Sequence, residues 1–481
     1  MKPSLYLLSF AFAQLCSIAM AQAPTVGTSP SNVSAIYITH VTVVDTETGK
    51  EIQNRTVVIS SGRISEVKAS NRVKPPAGMK IVDGNGKYLI PGLWDMHVHS
   101  VYAERLDTMF PLFVANGVLG IRDMGTPMPL AEIEHLRQQT ANGSLLGPRI
   151  VAAGPILDGR PKQTRPYFLA ITTPEEGREA VRRLKNGGSD FIKVYSNLSR
   201  DSFLAIVDEA RKQNISFSGH VPFSVSALEA SDVGQKSMEH LWGIYLSCSS
   251  REEELRSEML KGGVNLSGPE RVRLELDEAA ASYDEHKAAN VFAHLAKNGT
   301  WLVPTFTAVL RDSEIFDTRV TTDPRLKYIP IAVQKRWGEA AAEGAAIKSK
   351  SFDRKVQAVG AMHRAGVPLL AGTDAGWVQP YVYAGFSLHD ELALLVRAGL
   401  TPMESLQTAT INPARFLGME KDLGTIENGK IANLVLLDAD PLADIHNTTK
   451  IFEVFLAGKE FNRAALDEVL KITEAAAKSA E

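Results

Sequence analysis

The stretch LIPGLWDMHVHS, residues 89–100, is the one on which the reading of the fold turns. It is an apolar run that ends in two histidines one residue apart, His97 and His99. Side chains alternate between the faces of a β-strand, so both imidazoles point to the same side. Two imidazoles on one face at the end of a buried strand suit a metal ion such as zinc, which accepts histidine nitrogen readily. Pro91-Gly92 ahead of them reads as a turn feeding the strand. A pair of hydrogen-bonded histidines in a polar pocket would give the same pattern, so a metal needs further ligands elsewhere in the chain.

Downstream, strand-like runs alternate with helix-length amphipathic segments, the texture of βα units around a parallel sheet. The runs are VLGIRDM, PRIVAAG, DFIKVYS, ISFSGHV, KSMEHLW, TWLVPTF and PLLAGTD, with helical segments such as PEEGREAVRRLKNGG and RDSFLAIVDEARKQN between them. Together with the run ending in His97 and His99 they make eight strands, which fits a (β/α)8 TIM-type barrel. Residues 251–297 and 310–348 are longer and charged, and read as helices added near the barrel mouth.

On both sides of this region the pattern is short and alternating. AIYITHVTVVD, RTVVISSGRISEV and KIVDGNGKYLI precede it, and GTIENGKIANLVLLDADP and IFEVFLAGKEF follow. The shared texture predicts one small β-sandwich domain formed from both chain ends. The expected organisation is a signal peptide over 1–21, sandwich over 35–90 and 424–465, barrel over 91–423, and a frayed helical tail over 466–481.

At the N-terminus, Lys2, an apolar run over residues 5–18 and the small-x-small triplet Ala19-Met20-Ala21 form a cleavable export signal. An exported, periplasmic or secreted protein is expected, with no stable membrane association once the signal is removed. Cys16 lies inside that signal, so Cys248 is left alone and no internal disulfide can form in the mature monomer. Cys248 reads as a small apolar filler. A formal net charge of −3 over 481 residues gives no electrostatic footprint for nucleic acid or anionic membrane. The expected partner is a small-molecule substrate, and a homo-oligomer stays open.

The strand ends carry the chemistry. The fourth ends at Lys193, the fifth at His220, the sixth at His240 and the eighth at Asp374. In such barrels the carboxyl ends of the strands share one face, so His97, His99, Lys193, His220, His240 and Asp374 should converge. Singly, each has a plain structural reading: a packed core histidine, a strand-end lysine, a turn capped by Asp374. Tyr195 lies on the same strand face as Lys193 and is a candidate substrate contact. Arg160, Arg165 and Tyr167 in the loop GRPKQTRPY, and Tyr381, Tyr383 and His389 after the eighth strand, are candidates for the pocket wall. Arg122 and Asp123 in GIRDMG read as a structural ion pair. His40, His135, His286, His294, His363 and His446 fall away from the strand ends.

The segments PGLWDMHVH, GIRDMG, GPRIVAAGP, FIKVYS, the GH and EH strand ends, GTDAG, TINPARFLG and GTIENGKIANLVLLDADP span nearly all of the chain after residue 34. With them the chain resembles the metal-dependent amidohydrolase superfamily, close to imidazolonepropionase-like and Xaa-Pro dipeptidase-like members. The resemblance implies two divalent metal ions, zinc by the histidine-rich donor set. His97, His99 and Asp374 would hold one ion, His220 and His240 the other, and a carbamylated Lys193 would bridge them. A mononuclear site follows if Lys193 stays unmodified. It also implies a metal-activated hydroxide, with Asp374 as general base, cleaving a C–N bond in a peptide-like or cyclic amide. GHVP at the fifth strand departs from the dipeptidase pattern, which bears on recognition of a substrate carboxylate. Ester, lactone or phosphotriester hydrolysis on the same ions is the alternative chemistry, and a catalytically silent binding barrel the alternative class.

Overall fold

The computed structural model describes residues 35–160, 166–263, 270, 273–314, 318–343 and 352–480. The expected signal peptide and Arg165 lie outside the described residues. Five strands come first: β1 (Ile36–Asp45), β2 (Lys50–Ser60), β3 (Arg63–Ala69), β4 (Lys80–Asp83) and β5 (Tyr88–Pro91). Then follow β6 (Leu93–Val98), β7 (Val118–Asp123), β8 (Arg149–Ala152), β9 (Ile156–Asp158), β10 (Phe168–Ala170), β11 (Ile192–Val194), β12 (Phe217–Gly219), β13 (Ser237–Glu239) and β14 (Trp301–Val303). Near the C-terminus are β15 (Leu434–Leu437), β16 (Ile451–Leu456) and β17 (Lys459–Phe461).

The protein is α/β, with one mixed and two parallel sheets. The mixed sheet runs β17-β16-β15-β5-β1-β2-β3, with β4 beside β1, so both ends of the chain meet in one hydrogen-bonded sheet. The junction is β5 against β15, antiparallel, with Leu89 opposite Leu436. β-branched and aliphatic residues alternate along these strands, and Ile38, Val41, Val57, Ile64, Leu434 and Phe455 build a core separate from the main one.

The stretch 89–100 therefore serves two sheets. β5 ends at Pro91 in the mixed sheet, and β6 begins at Leu93 against β7 in a parallel one. Gly92 makes the hand-off where space is tight: a Cβ there would stand 2.7 Å from Leu119 Cδ1.

The parallel sheets are β6-β7-β8 and β10-β9-β11-β12-β13-β14. Helices connect most of their strands. The one over Pro174–Gly187 starts in a Thr173–Glu176 capping box and buries Ala180, Val181 and Leu184. β9 and β10, after β8, were not expected. The expected eighth strand, in contrast, is an irregular segment bonded on both sides. Leu370 N–H donates to the Leu302 carbonyl (2.9 Å), while Met96 N–H donates to that of Ala371 (2.9 Å) and His99 N–H to that of Ala375 (2.8 Å). Thr373 and Asp374 both turn their N–H groups to the His97 carbonyl, and Asp374 has φ +63°, which takes it out of strand geometry.

The C-terminal helix spans Arg463–Ser479. It starts on an Asn462 cap, buries Leu466, Thr473 and Ala477, and packs on the helix Leu106–Ala115. Among the described residues no helix is long and apolar enough to cross a membrane.

Candidate metal centre

The parallel strands and the irregular segment 368–375 bring His97, His99, Lys193, His220, His240 and Asp374 toward one another. His97 lies in β6 and His99 one residue beyond its end. Their Nε2 atoms stand 3.5 and 3.4 Å from Asp374 Oδ1. His240 follows β13, with its ring 4.4 Å from that of His97 and 5.0 Å from that of His220. Donor atoms of His97, His240 and Asp374 all lie within 4.8 Å of one another. His240 (φ +60°) and Asp374 both occupy the left-handed backbone region, which side chains other than glycine adopt at a cost.

Each histidine is oriented through its Nδ1. That of His97 meets Glu239 Oε2 (2.7 Å), that of His99 the Gly125 carbonyl (3.0 Å), that of His220 Ser196 Oγ (2.8 Å) and that of His240 Thr305 Oγ1 (2.6 Å). For His97 and His99 the partner can only accept, so Nδ1 carries the proton and the lone pair lies on Nε2. Fixing one nitrogen by an outer hydrogen bond and presenting the other is how proteins prepare imidazole for a metal. Burial, then the Lys193 charge beside His97 and the His97 charge beside His240, holds both imidazoles well below the usual histidine range, hence unprotonated.

Two buried atoms test the fit of a metal. His97 Nε2 and Lys193 Nζ have no hydrogen-bond partner among the described residues. Burial lowers Lys193 to about 8, against the opposing pull of Glu239. A neutral imidazole, a carboxylate and an easily neutralised amine make a donor set that fits divalent cations.

Glu239 and Arg122 belong to the site and were missed. Arg122 Nη2 donates to both Glu239 oxygens (3.0 and 3.2 Å), Ser237 Oγ donates to Oε1 (2.6 Å), and all three residues are fully buried. Arg122 is thus not paired with Asp123. Neighbours on a strand point to opposite faces, and Asp123 instead accepts the N–H groups of Ser100, Val101 and Gly125. A glutamate and an arginine inside strand-like runs were the available signal, since such residues are rarely buried unpaired.

The other expected pocket residues divide. Tyr195 stacks on the His220 ring at 4.0 Å, and the Tyr167 ring lies 6.2 Å from that of His99. Arg160 reaches toward Asp158 (3.6 Å). Tyr383 is almost fully buried in a separate cluster with Trp337 and Tyr381, under the Arg325 guanidinium. His389 is no pocket residue. Its Nδ1 meets Thr448 Oγ1 (2.9 Å) and its Nε2 the Asn116 carbonyl (3.1 Å), and burial pushes it down to about 4. It ties the helix Phe386–Arg397 to the C-terminal region.

A profile described as "Amidohydrolase family" matches residues 88–460. The chain belongs to the amidohydrolase family. It is accordingly an enzyme, a hydrolase. Ochratoxinase of Aspergillus niger is 24% identical over 468 residues, covering 84% of this chain and 81% of that one. A crystal structure of a putative prolidase from Bifidobacterium longum has a TM-score of 0.64 and 27% identity, over 92% of this amidohydrolase and 99% of the prolidase. Imidazolonepropionase of Shouchella clausii matches locally, 32% identical over 127 residues, 25% of this chain and 27% of that one.

Proposed function

We propose that this amidohydrolase cleaves a C–N bond, in a peptide-like or cyclic amide, at a site for two divalent ions formed by His97, His99, Lys193, His220, His240 and Asp374. The observation that carries the reading is the meeting of His97, His240 and Asp374 donor atoms beside a buried Lys193 amine with no hydrogen-bond partner among the described residues. Ochratoxinase and prolidase as relatives support the amide bond. Bound there, divalent ions, zinc by the donor set, supply a hydrolytic nucleophile at neutral pH and polarise a carbonyl.

His97, His99 and Asp374 would hold one ion and His220 and His240 the other, with Lys193 between them as a carbamate. A lysine near 8 offers a neutral amine at mildly alkaline pH, and carbamylation turns it into an anion with two oxygens. Asp374 faces the histidines through Oδ1, and Gln379 Nε2 fixes Oδ2 at 3.1 Å. So held, it takes a proton from the attacking water and returns it to the leaving nitrogen. One water is consumed, the C–N bond breaks, and a carboxylic acid and an amine result. Tyr195, stacked on His220, lines the substrate side.

In this reading the segment 368–375, bonded to β14 and to β6, closes a (β/α)8 barrel over 91–423. The mixed sheet folds over its own core as a sandwich from 35–90 and 424–465, and a helical tail follows. Export after cleavage behind Ala21 completes the proposal and rests on the sequence of the first residues alone.

The test is hydrolysis of amides, dipeptides, cyclic amides, esters, lactones and phosphotriesters by zinc-loaded protein. Turnover of amides that chelation abolishes and zinc restores is the expected result. Turnover of esters or phosphotriesters alone would replace the bond assignment. No turnover and no metal uptake would point to a silent barrel.

A further inference from the structure

Three buried polar atoms on the loop leaving β6 have no hydrogen-bond partner among the described residues: Ser100 Oγ, Tyr102 Oη and Arg105 Nε. Arg105 is only 8% exposed and Tyr102 6%. The guanidinium lies 3.6 Å from the centre of the Tyr102 ring and 5.3 Å from that of Trp377, three residues beyond Asp374. Its Nη1 donates to the carbonyl of His99 at 2.6 Å. Among the described residues no carboxylate pairs with it. The adjacent Glu104 and then Asp123 contribute to its electrostatics without forming an ion pair with it, and Asp123 has its oxygens engaged by the N–H groups of Ser100, Val101 and Gly125.

A guanidinium out of water is costly unless an anion meets it. Two aromatic faces and one carbonyl offset part of that cost. Nη1 is taken and Nε is without a hydrogen-bond partner among the described residues; Nε lies on the side of the guanidinium that can receive a carboxylate through two parallel hydrogen bonds. The Tyr102 hydroxyl is a third donor, beside the same charge. An α-carboxylate sits two bonds from the scissile nitrogen of an N-acyl amino acid. Its anchor must stand about one residue's breadth from the metal-binding histidines, and His99 holds Arg105 by its own carbonyl. The rings of Tyr102 and Tyr167, 6.1 Å apart, and of Trp377 give this corner apolar faces.

We propose that Arg105, assisted by the Tyr102 hydroxyl, binds the carboxylate on the amine half of the substrate. The enzyme then selects dipeptides and N-acyl amino acids, with an aromatic side chain suited to the corner. This rests on the amide-hydrolase reading above.

N-acetyl-L-phenylalanine and N-acetyl-L-phenylalaninol differ only in the carboxylate, and kcat/KM for both is compared in zinc-loaded wild type, Arg105→Gln, Arg105→Lys and Tyr102→Phe. The wild type is expected to prefer the acid by roughly tenfold or more, as for a charged hydrogen-bonded pair. In Arg105→Gln that ratio collapses toward one, through KM, and Arg105→Lys keeps part of it. Tyr102→Phe removes an unsatisfied buried hydroxyl, so its melting temperature should not fall while its ratio does. Equal cleavage of acid and alcohol by the wild type overturns the proposal. So does an equal loss for both in Arg105→Gln, which would leave Arg105 as a brace for the His99 loop. Calorimetric binding of L-phenylalanine against L-phenylalaninol separates the two readings. If neither amide is cleaved yet L-phenylalanine alone binds, dependent on Arg105, the anchor stands and the amide reading falls. If neither is cleaved and neither binds differently, the anchor falls too.

Discussion

Replacing Glu239 by glutamine alters a single charge where His97, Arg122 and Ser237 meet, and its effects on fold and on metal can be measured apart. Glu239 is fully buried and accepts from Arg122 at 3.0 and 3.2 Å, from Ser237 Oγ at 2.6 Å and from His97 Nδ1 at 2.7 Å. Glu239→Gln leaves the Arg122 guanidinium, also fully buried, without its anion. That costs about 3–5 kcal/mol, a large share of a typical total of about 5–15 kcal/mol. The amide oxygen is also a weaker acceptor for His97 Nδ1–H, so zinc affinity should fall about 10–100-fold, or roughly 1.4–2.7 kcal/mol. Urea denaturation of metal-free protein reads the first effect, and chelator competition reads the second. Adding Arg122→Met removes the stranded charge, so the double variant should regain stability while its zinc affinity stays low. Wild-type zinc affinity in Glu239→Gln, or affinity restored together with stability in the double variant, would refute the reasoning.

Asp374→Asn keeps the shape and loses the proton acceptor, so kcat should drop about 10²–10⁴-fold; wild-type turnover of an amide would remove Asp374 from the proton transfer. NMR with isotope-labelled bicarbonate should show a carbamate signal on metal-free protein that grows as pH rises through about 8, where Lys193 loses its proton, and that is absent in Lys193→Met. A signal independent of pH or of Lys193 would contradict the assignment. In β16, burial and then the facing Glu460 push Glu453 from 4.5 up to about 7. A carboxyl raised in the folded state is fully tolerated below about 4.5 and costs stability progressively as pH rises to about 7. Glu453→Gln should therefore be more stable than wild type at pH 8 by roughly 1–2 kcal/mol, after allowing for screening by Lys80 and Lys87, and gain nothing at pH 4. An equal gain at both pH values in thermal denaturation would exclude the charge as its cause.

What the sequence determined by itself was periodicity and position. Alternation put His97 and His99 on one strand face, and the repeat of apolar runs placed Lys193, His220 and His240 in or just beyond the successive strands β11, β12 and β13, while Asp374 sits in an irregular segment where a strand was expected. Local texture also linked strands from both chain ends, because a half-buried sheet needs the same alternation wherever its strands lie in the chain. Pairing across the fold was decided only in three dimensions. Arg122 meets Glu239 across 117 positions and not its neighbour Asp123. His389 stands close to Asp374 in the chain, yet both its nitrogens bind elsewhere. Arg105 and Tyr102 stand out through polar atoms without a hydrogen-bond partner among the described residues, and a missing partner has no signature in a string of residues. Periodicity follows from local backbone geometry, whereas partners and burial follow from which distant segments share a core.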